Sequence, residues 1–142
     1  MPAGPVTPEP PANLTLGRAG EEAAAAFLKS QGYRIRERNW RHKSMELDLI
    51  CEQGGDLVFV EVKTRASGTL APGAHSVNAE KRRRLIRAAT MYLSKKKLWE
   101  RPCRFDLVSM LALEDGSFRP RLHKNAFSIE DAPRTGKYYQ PF

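Results

Sequence analysis

Two apolar runs, Met45 to Glu52 and Leu57 to Thr64, flank the tetrapeptide Gln53-Gly54-Gly55-Asp56, and this pattern dictates a β-hairpin. Side chains on a strand alternate between faces. Met45, Leu47, Leu49 and Cys51 then share one face, and Glu46, Asp48 and Ile50 the other. On the following strand, Val58, Val60 and Val62 oppose Phe59, Glu61 and Lys63. A symmetric turn at Gly54-Gly55 sets Gln53 opposite Asp56, Glu52 opposite Leu57 and Ile50 opposite Phe59. Continued outward, the same register sets Asp48 opposite Glu61 and Glu46 opposite Lys63.

Directly opposed residues project to the same side of a sheet, with Cβ atoms about 4.5–5.5 Å apart. The hairpin thus predicts two carboxylates side by side, with an ammonium group next to them. Carboxylates that close repel each other, and a divalent cation removes the conflict. Donor sets made only of oxygen suit Mg²⁺ or Mn²⁺. A metal there lowers the pKa of an attacking water and stabilises charge on a phosphodiester, while Lys63 positions that water or neutralises developing charge. The competing reading is a salt bridge from Glu46 to Lys63, with Asp48 and Glu61 in solvent. The run of valines argues for burial instead.

The rest of the chain surrounds this hairpin. Leu16 to Gln31 is Ala-rich, with Leu16, Gly20, Ala24, Phe27 and Leu28 at helical spacing and Gly32 as the stop. Glu21 falls at the edge of that stripe, and Glu22 points to solvent. Tyr33 to Asn39 reads as a strand. Asn78 caps a helix running to about Lys96, with Leu85, Ile86, Ala89, Tyr92 and Leu93 on its buried side. Phe105 to Leu113 and Phe118 to Lys124 form a second strand pair about Glu114-Asp115-Gly116. The order α-β-β-β-α-β-β predicts an α/β fold, a mixed β-sheet flanked by helices.

The chain has 142 residues, enough for one domain, placed at 14–131. Residues 1–13 are Pro-rich and read as a disordered leader. Residues 132–142 read as a loosely ordered tail, whose Tyr138, Tyr139 and Phe142 are expected to dock on the domain, the alternative being to stack on bases. No signal peptide and no membrane span is expected, which points to the cytoplasm. Cys51 and Cys103 lack metal-site spacing and read as reduced core residues. His42, His75 and His123 stand singly, and Trp40 and Trp99 read as packing residues.

A net charge of +8 calls for a polyanionic partner, with nucleic acid the commonest. Lys81, Arg82, Arg83, Arg84 and Arg87 crowd the start of the second helix, where cations gain nothing from the helix dipole. Arg65 adds charge just past Lys63. These residues are candidate phosphate contacts, which give affinity without sequence reading. The alternatives are a solvated basic helix face, or a structural subunit that meets an acidic protein.

Several motifs occur together. They are Gly17-x-x-Gly20-Glu21, Asn39-Trp40-Arg41, Glu46-Leu47-Asp48-Leu49-Ile50 and Phe59-Val60-Glu61-Val62-Lys63-Thr64-Arg65. Lys81 with its basic neighbours, Ala89-x-x-Tyr92-Leu93, Arg104-Phe105-Asp106 and Asn125-Ala126-Phe127 follow in order. From about Leu16 to Phe127 the chain resembles the YraN family of small bacterial proteins. That family is similar to the PD-(D/E)xK nucleases, with a restriction-endonuclease-like fold related to archaeal Holliday junction resolvases. The resemblance implies metal ligation by Asp48, Glu61 and the carbonyl of Val62, a catalytic Lys63, and Glu21 as a helix-borne acid. One departure is Met45, where the family has glycine; Leu47 for isoleucine is milder. The expected activity is a Mg²⁺- or Mn²⁺-dependent DNA endonuclease acting on branched or damaged DNA. The alternative is a DNA-binding protein with little or no turnover in a repair or uptake complex. Symmetric cutting of a junction would require a homodimer, although no clear dimerisation stripe is visible.

Overall fold

The computed structural model describes residue 4 and residues 15–67 and 77–128. The leader 1–13 (its Gly4 apart), the loop with His75 and the tail 132–142 lie outside the described residues. The elements are α1 (Leu16–Ser30), β1 (Arg34–His42), β2 (Met45–Gln53), β3 (Asp56–Ala66), α2 (Ala79–Lys96), β4 (Cys103–Ala112) and β5 (Phe118–Phe127). Their order is the one read from the sequence. One sheet runs β1-β2-β3-β4-β5. Neighbours are antiparallel except β3 and β4, which are parallel and joined through α2.

The two helices cover opposite faces. Ile50, Leu57, Phe59, Phe105 and Phe127 pack with Leu85, Ile86, Tyr92 and Leu93 of α2. Leu49, Cys51, Val58, Val60, Val108 and Met110 pack with the alanines, Phe27 and Leu28 of α1. Thr15 caps α1 by accepting from the Arg18 N–H at 3.3 Å. The helix stops one residue before Gln31, and Gly32 (φ 89°) turns the chain so that the Tyr33 N–H reaches Leu28 O at 2.9 Å. Leu16, expected on the buried stripe, is 48% exposed, because burial of α1 begins only at Ala19. No described helix is long and apolar enough to cross a membrane.

Gly20 sets how close α1 can lie to the sheet. A Cβ at this position would come within 2.8 Å of Thr64 Cγ2 on β3. The Ala19, Ala23, Ala24 and Ala25 side chains are buried beside it, so small residues carry this whole contact.

The hairpin closes through Gly54 (φ 57°) and Gly55 (φ 90°), the successive positive values of a primed turn. The expected register holds from Gln53↔Asp56 through Glu52↔Leu57 and Ile50↔Phe59 to Leu49↔Val60. There the recorded pairing of β2 with β3 ends. Asp48 and Glu61 are not ladder partners, nor are Glu46 and Lys63. The physical reason is a side-chain hydrogen bond: the Val62 N–H donates to Asp48 Oδ2 at 2.9 Å. A carboxylate thus takes a donor that the ladder would give to a β2 carbonyl. The face alternation lapses at the same point, since Leu47 joins Ile50 in the core beneath α2 instead of lying on the face of Leu49. Across from Asp48 on β1, between the pairs Arg38↔Leu49 and Trp40↔Leu47, Asn39 has φ 51°.

The final strand runs to Phe127, three residues beyond the expected Lys124. A register shift near its end, with Asn125 at φ 53°, lets the strand continue past an irregularity. Buried Asp106 holds that bend by accepting from the Asn125 N–H at 3.0 Å and the Tyr33 hydroxyl at 2.6 Å. Arg104 Nε donates to the same carboxylate at 3.1 Å.

Gly20→Ala is expected to destabilise the domain by ~1–3 kcal/mol through overpacking against Thr64. Urea unfolding would measure this; an unchanged midpoint would mean that α1 shifts away at no cost.

Candidate active site

Where β2 parts from β3, groups from four elements meet. Asp48 comes from β2 and Glu61 and Lys63 from β3. By strand alternation Glu61 and Lys63 share the face of Phe59, which packs under α2. Glu61 is the more enclosed, its side chain 11% exposed. Burial, and then Asp48 beside it, push the Glu61 carboxyl up to about 8. Lys81 of α2 opposes this, with Nζ 3.0 Å from Glu61 Oε2. The Lys63 ammonium is held below its ordinary value by burial and then by Arg65.

Val62 has its side chain on the α1 face but its backbone in the gap. The N–H and C=O of one strand residue point to the same edge of the strand. Since the Val62 N–H is taken by Asp48, its carbonyl opens toward the same edge. Asp48, Glu61 and that carbonyl are an all-oxygen donor set of the kind a hard divalent cation takes. The two acids carry a mutual repulsion that such a cation relieves. The donor set therefore fits Mg²⁺ or Mn²⁺.

Glu21 approaches from the opposite face. It lines a small cavity of about 50 Å³ with Arg18, Glu22, Arg38, Asn39 and Leu49. Burial raises the Glu21 pKa first and Asp48 second, while a hydrogen bond with Asn39 lowers it. Glu21 is thus an electrostatic neighbour of Asp48. Among the described residues, however, no three His, Cys, Asp or Glu side chains gather as a ready metal-holding cluster. Glu22 is exposed and pairs with Arg38 at 3.0 Å.

The remaining candidates are distributed around this centre. Lys81, assigned from sequence to the basic surface, belongs in the site through Glu61. Arg82 Nη1 donates to Val77 O at 3.1 Å, an intramolecular partner at the start of α2. Arg83, Arg84 and Arg87 are exposed. Arg84 and Arg87 line a cavity of about 120 Å³ with Lys81, Ser44, Met45 and Glu46. Met45 packs partly against the α2-side core at that cavity. Arg65 lies two residues past Lys63 on the same face. Glu46 pairs with Arg41 at 3.4 Å rather than with Lys63. Trp40 packs edge-on against Tyr92 at 5.4 Å, and Trp99 packs against the same core. Asn39 was not singled out from chemistry. The signal available was an asparagine inside a strand, a residue type that tolerates positive φ.

The family model described as "Uncharacterised protein family UPF0102" matches residues 20–110, a span that includes Glu21, Asp48, Glu61, Lys63 and Lys81. This chain belongs to UPF0102, the YraN family. A UPF0102 protein of Oleidesulfovibrio alaskensis is 52% identical over 98 residues, covering 69% of this chain and 48% of its own length. The chain thus spans about half of that relative. A UPF0102 protein of Symbiobacterium thermophilum is 50% identical over 112 residues, covering 79% of this chain and 95% of its own. Among solved structures, SfsA of Pyrococcus furiosus in complex with Ca²⁺ shares 18% identity, covering 77% of this chain and 62% of its own, with a TM-score of 0.39. That likeness is too slight to bear on fold or function.

The raised Glu61 pKa in this UPF0102 chain has a definite consequence for stability. Unfolded, the carboxyl titrates near its ordinary value of about 4.3. A higher folded value means its contribution is fully present below that pH and is lost as pH rises through about 8. In EDTA, urea unfolding of the wild type is expected to weaken across this window, and Glu61→Gln to flatten the fall. Equal slopes in both proteins would place the titration elsewhere.

Proposed function

We propose that this protein is a Mg²⁺- or Mn²⁺-dependent DNA endonuclease that hydrolyses phosphodiester bonds in branched or damaged DNA. The observation that carries the reading is the half-buried Glu61 carboxyl beside Asp48, with Lys63 and Lys81 around it. Asp48, Glu61 and the Val62 carbonyl would hold the metal. When bound, it would lower the pKa of water and stabilise negative charge on the phosphate. Lys63, kept below its ordinary pKa by burial and Arg65, is suited to orient the attacking water and to share its proton. Asp48 holds the Val62 backbone in place, so one acid serves both the ligand set and the strand geometry. Glu21 lies within electrostatic reach of Asp48 from the α1 side, beside Asn39. Arg84 and Arg87, at the rim beyond Lys81, are placed to contact the backbone of the DNA.

The Lys81–Glu61 ion pair favours a second reading. In it, Lys81 permanently supplies the positive charge that a metal would bring, and the protein binds DNA without cutting it, as a partner in a repair or uptake complex. A homodimer belongs with the first reading where both strands of a junction are cut.

Cleavage of single-stranded, duplex, flapped and four-way-junction DNA with Mg²⁺, Mn²⁺ or EDTA separates the two. Metal-dependent cutting is expected, reduced at least ~100-fold in Lys63→Ala. Asp48→Asn is expected to abolish both cutting and Mn²⁺ binding, followed by electron paramagnetic resonance, while the domain stays folded. Salt-sensitive DNA binding with neither cutting nor Mn²⁺ uptake would select the second reading.

A further inference from the structure

The register of the sheet places basic residues from separate parts of the sequence in rows. Lys63 of β3 pairs with Ser109 of β4, which pairs with Arg121 of β5. One step along, Arg65 pairs with Leu111, and Leu111 with Arg119. Paired residues project to one side of a sheet. Phe59 and Phe105 pair on the same side under α2, so these rows share the face that carries Glu61. A cavity of about 170 Å³ opens there, lined by Arg65, Ser109, Leu111, Arg119 and Arg121, with the intervening Met110 and Pro120 contributing at its base while the Met110 side chain packs on the α1 side. Its lining contains no acid, and Arg119 and Arg121 are exposed.

We propose that this cavity is a phosphate-binding subsite for a nucleic-acid strand that runs on from the catalytic centre. The proposal rests on the nucleic-acid reading given above and extends its contact surface to β5. Three guanidinium groups around one depression match the chemistry of phosphate, which arginine grips with paired N–H donors. Leu111 and the aliphatic stems of the arginines give a sugar apolar contact there. β5 is an edge strand, and edge strands carry charge to discourage pairing with other chains. That need does not account for Arg65, which comes from the central strand β3 and faces the same cavity. Strands lie about 4.8 Å apart, so Arg121 stands about 10 Å across the sheet from Lys63. With an axial rise of about 3.4 Å per nucleotide, that is on the order of three nucleotides. Lys81, Arg84 and Arg87 line the cavity on the β1–β2 side of the centre, so the strand would be held on both flanks of the cleaved bond.

The test is fluorescence-anisotropy binding of end-labelled DNA in EDTA over a series of salt concentrations. It compares wild type, the double variant Arg119→Ala with Arg121→Ala, and Lys29→Ala on the last turn of α1 as a charge control. The double variant is expected to show a slope of log affinity against log salt shallower by roughly 1.5, the loss of two phosphate contacts. Lys29→Ala is expected to keep the wild-type slope. Unchanged slope in the double variant, with the wild type binding in a salt-sensitive way, overturns the subsite and leaves the nuclease reading standing. An equal change in Lys29→Ala also overturns it, since overall charge would then explain the effect. Absence of salt-sensitive binding in the wild type overturns both readings together. If circular dichroism shows that the alanine variant is unfolded, Arg119→Gln with Arg121→Gln is read in the same assay against the same outcomes.

Discussion

A single carboxylate oxygen organises the centre of this molecule. Asp48 Oδ2 accepts the Val62 N–H, and by doing so ends the pairing of β2 with β3. Had the ladder continued, Val62 would have spent its backbone on β2 and the two strands would have stayed closed. Opened at this point, the sheet leaves the Val62 carbonyl and the Glu61 side chain beside Asp48. It also leaves a place that both helices can reach, Glu21 from one face and Lys81 from the other.

The surroundings are arranged to tolerate an unfavourable centre. Two half-buried carboxyls side by side are costly, and here the Lys81 ammonium offsets part of that cost. On the other face, Gly20 and the neighbouring alanines let α1 lie close over β3. Away from the centre, the polar network on Asp106 fixes the far strands. The framework is therefore rigid where backbone groups are satisfied and electrostatically loaded at the one place where the sheet parts.

Much of this was legible in the sequence because turn chemistry and alternation are local. Gly54-Gly55 and the apolar periods gave the hairpin and its register as far as Leu49↔Val60. The next pairs failed because a side chain competes with the backbone, and no period records that competition. Asp48 and Glu61 are still electrostatic neighbours, although the ladder that suggested it stops one pair short. The ion pair of Lys81 depends on where α2 docks, so a run of basic residues gave no means of separating it from its neighbours. Leu16 was misread because helical spacing does not tell where the sheet beneath begins. Arg119 and Arg121 escaped notice because their relation to Arg65 passes through β4.

The parallel pairing of β3 with β4 has a kinetic meaning. β1, β2 and β3 are joined by short turns and can assemble from contacts close in sequence, whereas β4 must wait for the crossover through α2. Glu61 belongs to the early meander and Lys81 to the late crossover. In chain order the acid pair therefore precedes the lysine that neutralises it. A nascent chain that has not yet reached α2 would carry the carboxylates of its future centre in water, where they are cheap to keep charged, and the crossover that brings Lys81 is also what encloses them.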